Sequence, residues 1–276
     1  MSTHGKPMSI RDALYEAPGP RTRRRMIIGT VLSLAAVAVG IALIVRQFYV
    51  TGQLAPRYWT FLGQATTWRY LFQGFRGTLA VALTAGVLSL ILGLVLMLGR
   101  TSGIKPLSVA CRIVTDFFRG VPSLLLIYFF FLVVPQYGIK LSSFWMITLP
   151  VMLAASGVLA EVLRAGVNAV PRGQVEAAMS LGMRPARIMF KIVLPQAIRF
   201  VIPSLISQLV VVVKDTTVAY VVSYPDLMQN ARVLITNYDA LVSMYFTVAV
   251  VYILLNFAIN KLSAVIAERL GVKIIR

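Results

Sequence analysis

Residues 78–98 read TLAVALTAGVLSLILGLVLML and contain no charged side chain. A helix of about 20 apolar residues is long enough to cross the hydrocarbon core of a bilayer. In lipid a helix satisfies its own backbone hydrogen bonds, so a run of this kind is expected to be helical rather than irregular. The stretch therefore predicts a transmembrane helix.

Five other apolar runs lie along the chain, at residues 26–45, 113–134, 144–163, 196–213 and 241–266. Membrane β-barrels instead show alternation in segments of about 10 residues. The sequence therefore predicts an all-α, polytopic membrane protein with six spans. The basic start before residue 26 also fits a signal peptide, but the apolar run is longer than usual and more spans follow, which favours an uncleaved helix.

The composition supports a membrane protein over a nucleic-acid binder. The chain is 58% hydrophobic and 13% charged, whereas soluble domains carry about 25% charged residues. A formal net charge of +18 would suit nucleic acid in a soluble protein. Here the basic residues separate apolar runs, which is the pattern of cytosolic loops between spans. We therefore expect no nucleic-acid partner.

Residue counts limit the chemistry of the chain. Cys111 is the single cysteine and His4 the single histidine, so an internal disulfide and a histidine-based metal site or triad are excluded. No GxxxxGK[ST] loop for ATP occurs. We expect no catalytic residue and no cofactor bound by the chain itself.

The distribution of basic residues predicts the orientation. With the N-terminus inside and six spans, 20 of the 27 Lys and Arg residues fall on the cytosolic side and 7 outside. This asymmetry places both termini in the cytosol. The resulting organisation is a cytosolic tail at 1–25, a first helix with its external connection at 26–73, a transmembrane domain at 74–266 containing a cytosolic loop at 164–195, and a cytosolic tail at 267–276.

The cytosolic loop contains a helix-like pattern from Pro171 to Gly182. A proline suits the first turn of a helix and a glycine suits its end. Between them Gln174, Ala177, Ala178 and Leu181 follow the i, i+3, i+4, i+7 spacing of one helix face. Small residues on such a face allow a partner's groove to approach the backbone. An amphipathic connector lying on the membrane surface fits the same spacing.

The spacing Glu176-Ala177-Ala178, three residues, Gly182, nine residues, Ile192, one residue, Leu194-Pro195 resembles the EAA motif of ABC-importer permeases. Flanking segments resemble the polar amino-acid branch of that family: EVLRAG at 161–166, AVPRGQ at 169–174, LPQA at 194–197, KDT at 214–216, and RGVP at 119–122, where the third residue is more often Thr. The N-terminal extension, with YEAPGPR at 15–21, is similar to actinobacterial glutamate-uptake permeases.

The resemblance implies a MetI-like permease core of five helices plus one extra N-terminal helix, in a bacterial plasma membrane. It implies a coupling helix that docks on a cytosolic ATPase, through Arg172, Glu176, Ala177, Ala178, Leu181 and Gly182. The implied partners are ABC ATPase subunits carrying ATP and Mg, a second homologous permease in a heteromeric pair, and an extracytoplasmic amino-acid-binding protein. The expected substrate is glutamate, with aspartate or glutamine next.

Charged residues in or near apolar runs are candidates for a substrate path, because charge in lipid is costly and usually faces a partner or an aqueous cavity. The candidates are the charged residues Arg119, Glu161, Lys214 and Asp215, together with the adjoining Thr216. Simple pairing is the alternative for each charged residue: Glu161 with Arg164, Arg119 with Asp116, and Lys214 with Asp215.

Two other classes of membrane protein are alternatives to an ABC permease. A self-sufficient, ion-coupled secondary transporter predicts inverted repeats and discontinuous helices around acids at the midplane. The sequence shows no repeat, and its acids lie close to the ends of the spans. An intramembrane enzyme needs a nucleophile–base pair, and none stands out among nine carboxylates, one cysteine and one histidine.

Overall fold

A computed structural model describes residues 19–269 and divides the chain into two compact units, 1–55 and 56–276. The first unit contains helix α1 (Pro20–Val50), which begins with Pro20 in its first turn and has no buried residue. Its apolar side chains are exposed all round, as expected for a helix in lipid. It contains the predicted run 26–45. Most of the predicted tails lies outside the described residues.

The second unit is built of helices α2 to α10. Their bounds are α2 Ala65–Arg100, α3 Lys105–Gly120, α4 Ser123–Tyr128, α5 Ser143–Ala169, α6 Arg172–Ser180, α7 Pro185–Ile188, α8 Leu194–Asp215, α9 Leu227–Tyr238 and α10 Leu241–Arg269. Between residues 19 and 269, five continuous helical segments are long and apolar enough to cross a membrane, or six if one bent pair counts as a span. The count of six agrees with the sequence once that pair is included.

The bent pair is α3 and α4, and it corrects the predicted span at 113–134. The two arms, Lys105–Gly120 and Ser123–Tyr137, meet at 98°. Pro122 lacks a backbone N–H, and its ring disfavours helical geometry in the residue before it. Val121 accordingly adopts an extended conformation, with φ −86° and ψ 124°. The run is therefore divided between two helices, and the first of them begins at Lys105, before the predicted run.

Small residues let α2, α5 and α8 approach closely. A Cβ on Gly93 of α2 would lie 3.0 Å from the Cβ of Leu159 on α5. A Cβ on Gly166 of α5 would lie 2.8 Å from the carbonyl oxygen of Ala197 on α8. Glycine at these points brings backbones together without lost packing, as is usual between membrane helices. One buried cluster joins Met97, Leu163 and Val201 from the three helices.

The loop helices lead directly into α8. Pro171 is the residue before α6, one position earlier than the predicted first turn. Pro185 begins α7, and a π-helical turn at Met189–Val193 then joins it to α8. Pro195 lies in the first turn of α8, and a proline cannot donate the usual hydrogen bond to the preceding turn. A π-helical turn absorbs this defect, so the helical path continues through Pro195 although a proline in mid-helix is expected to interrupt it.

Candidate functional site

Helix α6 ends in a Schellman motif at Gly182. Gly182 has a φ of +71°, and its N–H donates to the Met179 oxygen at 2.9 Å. The N–H of Met183 donates to the Ala178 oxygen at 3.1 Å. Glycine adopts this positive φ without the penalty that a Cβ brings. The prediction that Gly182 stops the helix is confirmed.

One side of α6 packs on the protein and the other is open. Ala178 is 2% exposed, whereas Leu181 is 81% exposed. The buried cluster around Ala178 contains Val170, Ile188, Val193 and Ala197. Ala177 and Gln174 are exposed. Ala178 therefore anchors the helix, and the face predicted from spacing alone is divided between the packed side and the open side.

The other predicted coupling residues all lie on the open side. Arg172, Glu176 and Gly182 are exposed. Neither Arg172 nor Glu176 forms an ion pair in the part of the chain that the structure describes. The result is a short helix with a fixed end, the small apolar side chain of Ala177, the large ones of Met179 and Leu181, and two charges without an ion pair among the described residues. Such a surface is suited to docking in a groove of another protein.

Glu161 is the centre of a network of arginines and carboxylates on α2, α3 and α5. Its Oε1 accepts a hydrogen bond from Arg164 at 2.5 Å, and its Oε2 accepts one from Arg100 at 2.8 Å. Arg119 lies 3.8 Å from the same Oε2 and 3.8 Å from Asp116. The predicted pairs of Glu161 with Arg164 and of Arg119 with Asp116 are both present. The contacts of Glu161 with Arg100 and Arg119 connect the three helices.

Sequence reasoning missed Arg100 as a member of this network. The residue ends α2, and 61 positions separate it from Glu161. Its position after an apolar run marks the end of a span. In the predicted six-span topology the second and fourth spans run in the same direction and end at the same membrane surface, and this relation is the signal that could have joined Arg100 to Glu161.

The other candidates form a separate polar turn at the end of α8. Helix α8 ends at Asp215, and a 3₁₀ helix, Thr216–Val222, continues the chain. Lys214 is exposed, and no ion pair joins it to Asp215 in the described region. Asp215 is half-buried beside the Ser123 hydroxyl at the start of α4. Thr216 is buried and donates to the Val213 oxygen at 2.8 Å. Arg119 and Glu161 are thus together, and Lys214, Asp215 and Thr216 form a second group.

Asp226, which the sequence did not single out, is fully buried where α9 begins. Its Oδ1 accepts a hydrogen bond from the Gln229 N–H at 2.7 Å and so caps the helix. Its Oδ2 has no hydrogen-bond partner among the described residues. Burial raises the pKa of Asp226 to about 7, against the opposing effect of the Gln229 hydrogen bond.

Hydrogen bonds tie α9 to α2 around this carboxyl. The N–H of Leu227 donates to the Thr78 hydroxyl at 3.1 Å, and the Asn230 side chain donates to the Tyr70 oxygen at 2.7 Å. The side of α9 that carries Leu227, Asn230, Ala231 and Leu234 is therefore the packed side.

Residues 97–272 match the family described as binding-protein-dependent transport system inner membrane components. The glutamate transport system permease protein GluD of Corynebacterium glutamicum is 34% identical over 79% of this chain and 82% of its own length. The probable glutamine ABC transporter permease protein GlnP of Bacillus subtilis is 34% identical over 74% of this chain and 93% of its own length.

Solved structures show the same architecture. The crystal structure of an amino acid ABC transporter with histidines has a TM-score of 0.71 at 27% identity, covering 76% of this chain and 98% of that chain. The inward-facing MetNI methionine ABC transporter has a TM-score of 0.65 at 19% identity, over 75% and 99%. The MetI-like fold is confirmed, and α1 accounts for the extra N-terminal helix.

These observations define a multi-pass membrane permease. The chain belongs to the family of binding-protein-dependent transport system inner membrane components, and its predicted resemblance to amino-acid ABC permeases is confirmed.

Proposed function

We propose that this chain is the permease subunit of an ATP-driven importer that takes up a polar amino acid. The observation that carries the proposal is α6, whose open side holds Glu176, Ala177 and Leu181 and whose end is fixed at Gly182. This surface has no role inside the described fold. It is suited to binding an ATPase, whose nucleotide binding and hydrolysis would move this helix and so switch the spans between outward and inward access.

The proposed substrate is glutamate, with aspartate or glutamine next. The support comes from two relatives, a glutamate permease and a probable glutamine permease, each 34% identical to this chain. The similar N-terminal extension of actinobacterial glutamate permeases adds to it. An acidic amino acid leaving water needs cationic or backbone donors to replace its lost hydration. The proposed path residues are Arg119, Glu161, Lys214, Asp215 and Thr216.

The proposed assembly contains two ATPase subunits, which hold ATP and Mg, and a second permease of the same family in a heteromeric pair. An extracytoplasmic binding protein delivers the amino acid. Both termini and α6 face the cytosol in this arrangement, which rests on the asymmetry of basic residues. The chain itself conducts the substrate and transmits the movement of the ATPase to the spans, without catalytic residues.

The test is purification of the tagged chain with its neighbours, followed by uptake of labelled amino acids in proteoliposomes. We expect an ATPase to co-purify and glutamate to accumulate only with ATP and binding protein present. Uptake driven by an ion gradient without ATP would favour a secondary transporter instead. Preferential uptake of arginine would contradict the acidic substrate while leaving the permease role intact.

A further inference from the structure

Helix α9 has a second face that the described fold leaves free. Gln229, Arg232 and Thr236 lie three and four residues apart, on one stripe of the helix. The opposite stripe packs on α2 through Leu227 and Asn230. The free stripe therefore carries an amide, a guanidinium and a hydroxyl beside one another.

These side chains line a concave pocket. Tyr128 of α4 and Tyr220 of the 3₁₀ helix Thr216–Val222 form its other walls, around a cavity of about 470 Å³. This volume falls within the about 300–1,000 Å³ that is usual for small-molecule sites. The pocket walls come from α9, from the 3₁₀ helix and from the arm Ser123–Tyr137, which also supplies Phe131, so the cavity depends on the tertiary fold rather than on one helix.

The guanidinium of Arg232 lies over an aromatic ring and has no ion-pair partner among the described residues. Its Cζ lies 4.3 Å from the centre of the Tyr220 ring, a cation–π contact that orients the side chain. Within residues 19–269, Arg232 has no carboxylate within ion-pair distance. The other polar side chains in the pocket are hydroxyl and amide groups, which can donate hydrogen bonds; the Thr236 hydroxyl donates to the Arg232 oxygen at 3.1 Å, and those of Tyr128, Tyr220 and Gln229 face the cavity. The pocket therefore suits a carboxylate, which an arginine binds in a bidentate manner.

The pocket is also connected to the proposed path. Tyr220 is on the 3₁₀ helix that starts at Thr216, immediately after Lys214 and Asp215. By the orientation proposed above, α9 lies between two spans on the extracytoplasmic side. A ligand bound beside Arg232 would thus be at the outer entrance of the path.

We propose that this pocket receives the α-carboxylate of the incoming amino acid before it reaches the turn at Lys214. The proposal rests on the proposed importer function and adds an outer reception site to it. The α-carboxylate is common to all α-amino acids, so the site contributes capture rather than selection among side chains.

The test is uptake by the complete transporter in proteoliposomes, with saturating binding protein and assembly checked by co-purification of the ATPase. Arg232→Gln should lower the maximal uptake rate about tenfold, the effect expected from losing one charge-assisted hydrogen bond. The matched control is Arg69→Gln. Arg69 is exposed, lies near the same side of the membrane in the proposed topology and is outside the pocket. This control should transport at the wild-type rate.

Further variants separate the guanidinium from the fold. Tyr220→Phe should retain the rate because the ring remains, whereas Tyr220→Leu should lower it by releasing Arg232. If Arg232→Gln does not assemble, Arg232→Lys is the variant to measure, and its rate should be lower than those of the wild type and Arg69→Gln. Loss of rate should be equal for every amino acid that the wild type transports, glutamate and glutamine included.

Three results would overturn the proposal. The first is an Arg232→Gln rate equal to that of Arg69→Gln. The second is a loss confined to glutamate, which would assign the guanidinium to a side-chain carboxylate. The third is that the binding protein, without its amino acid, binds the Arg232→Gln transporter more weakly than the wild type. That result would show that Arg232 contacts an acidic residue of the binding protein. A wild-type complex that transports no amino acid would instead refute the proposed function itself.

Discussion

Asp226 is an acid that the fold keeps out of water while offering its Oδ2 no hydrogen-bond partner among the described residues. It lies in the connection between the spans that contain α8 and α10, and its pKa is raised to about 7 by burial. The unfolded chain releases this proton near pH 4. The carboxyl therefore contributes stability that is complete below about pH 4 and is lost as the pH rises towards about 7.

The first prediction follows from the direction of this pH dependence. Asp226→Asn keeps the cap acceptor but removes the charge. We expect the variant to be more stable than the wild type near pH 8, by up to about 4 kcal/mol, and to lose this advantage as the pH falls to about 4. Thermal unfolding of the purified complex at the two pH values measures it. Parallel pH dependence of the two proteins would contradict a buried, proton-holding carboxyl.

Lys214 provides the second prediction. It is exposed at the end of α8 and unpaired with its neighbour Asp215 in the described fold. Lys214→Gln should raise the glutamate concentration needed for half-maximal uptake about tenfold, with the complex still assembled. Lys140→Gln is the matched control, since Lys140 is also exposed and lies in a connection. Equal uptake curves for both variants would remove Lys214 from the path.

Glu161 gives a third prediction, concerned with stability. Replacing it by glutamine removes the carboxylate that Arg100, Arg119 and Arg164 share. We expect Glu161→Gln to lower the free energy of unfolding by about 1–3 kcal/mol, because hydrogen bonds to charged groups are lost and guanidiniums are left facing one another. Glu176→Gln, at an exposed carboxylate without an ion pair, should leave thermal unfolding unchanged. Equal midpoints would mean that the network contributes nothing measurable.

Among the helices, α6 depends on Gly182 for its C-terminal end. A Cβ on Gly182 would meet no atom within 4 Å, so the cost of a substitution there comes from the positive φ and from the surface it changes. Gly182→Trp should insert normally, spoil the helix stop and cover the docking surface, so that ATP hydrolysis continues without uptake. Gly173→Ala is the control, because Gly173 is in the same helix with equal space and without a positive φ. Wild-type uptake by Gly182→Trp at normal expression would refute the coupling role.

The elements also show what the sequence could supply. Apolar runs indicate the spans, a glycine indicates the end of α6, and i, i+3 spacing indicates the pairing of Glu161 with Arg164, because each of these depends on neighbours along the chain. The participation of Arg100, the burial of Ala178 and the burial of Asp226 depend on which helices pack together. Those contacts are set by tertiary packing, which residue spacing does not encode.

At the scale of the whole molecule, orientation is the property to test. In a Cys111→Ser background, a cysteine at Glu176 or at position 272 should react only with reagents that reach the cytosol. A cysteine at Asn237, exposed at the end of α9, should react with an impermeant external reagent. Labelling of position 176 from outside would invert the topology and place the pocket at Arg232 on the cytosolic side.

The 98° bend between α3 and α4 also has a consequence for biosynthesis. Helix α3 has 16 residues and the second arm ends at Tyr137, so each arm alone is shorter than the about 20 apolar residues that leave the insertion machinery for lipid unaided. Each arm therefore depends on neighbouring helices. Helix α5 is synthesised after both arms, and its Gly157 packs against the backbone of α3. A Cβ on Gly157 would lie only 2.9 Å from the backbone nitrogen of Arg119. We expect this part of the chain to enter the membrane as a group, after α5 has been synthesised, rather than one helix at a time.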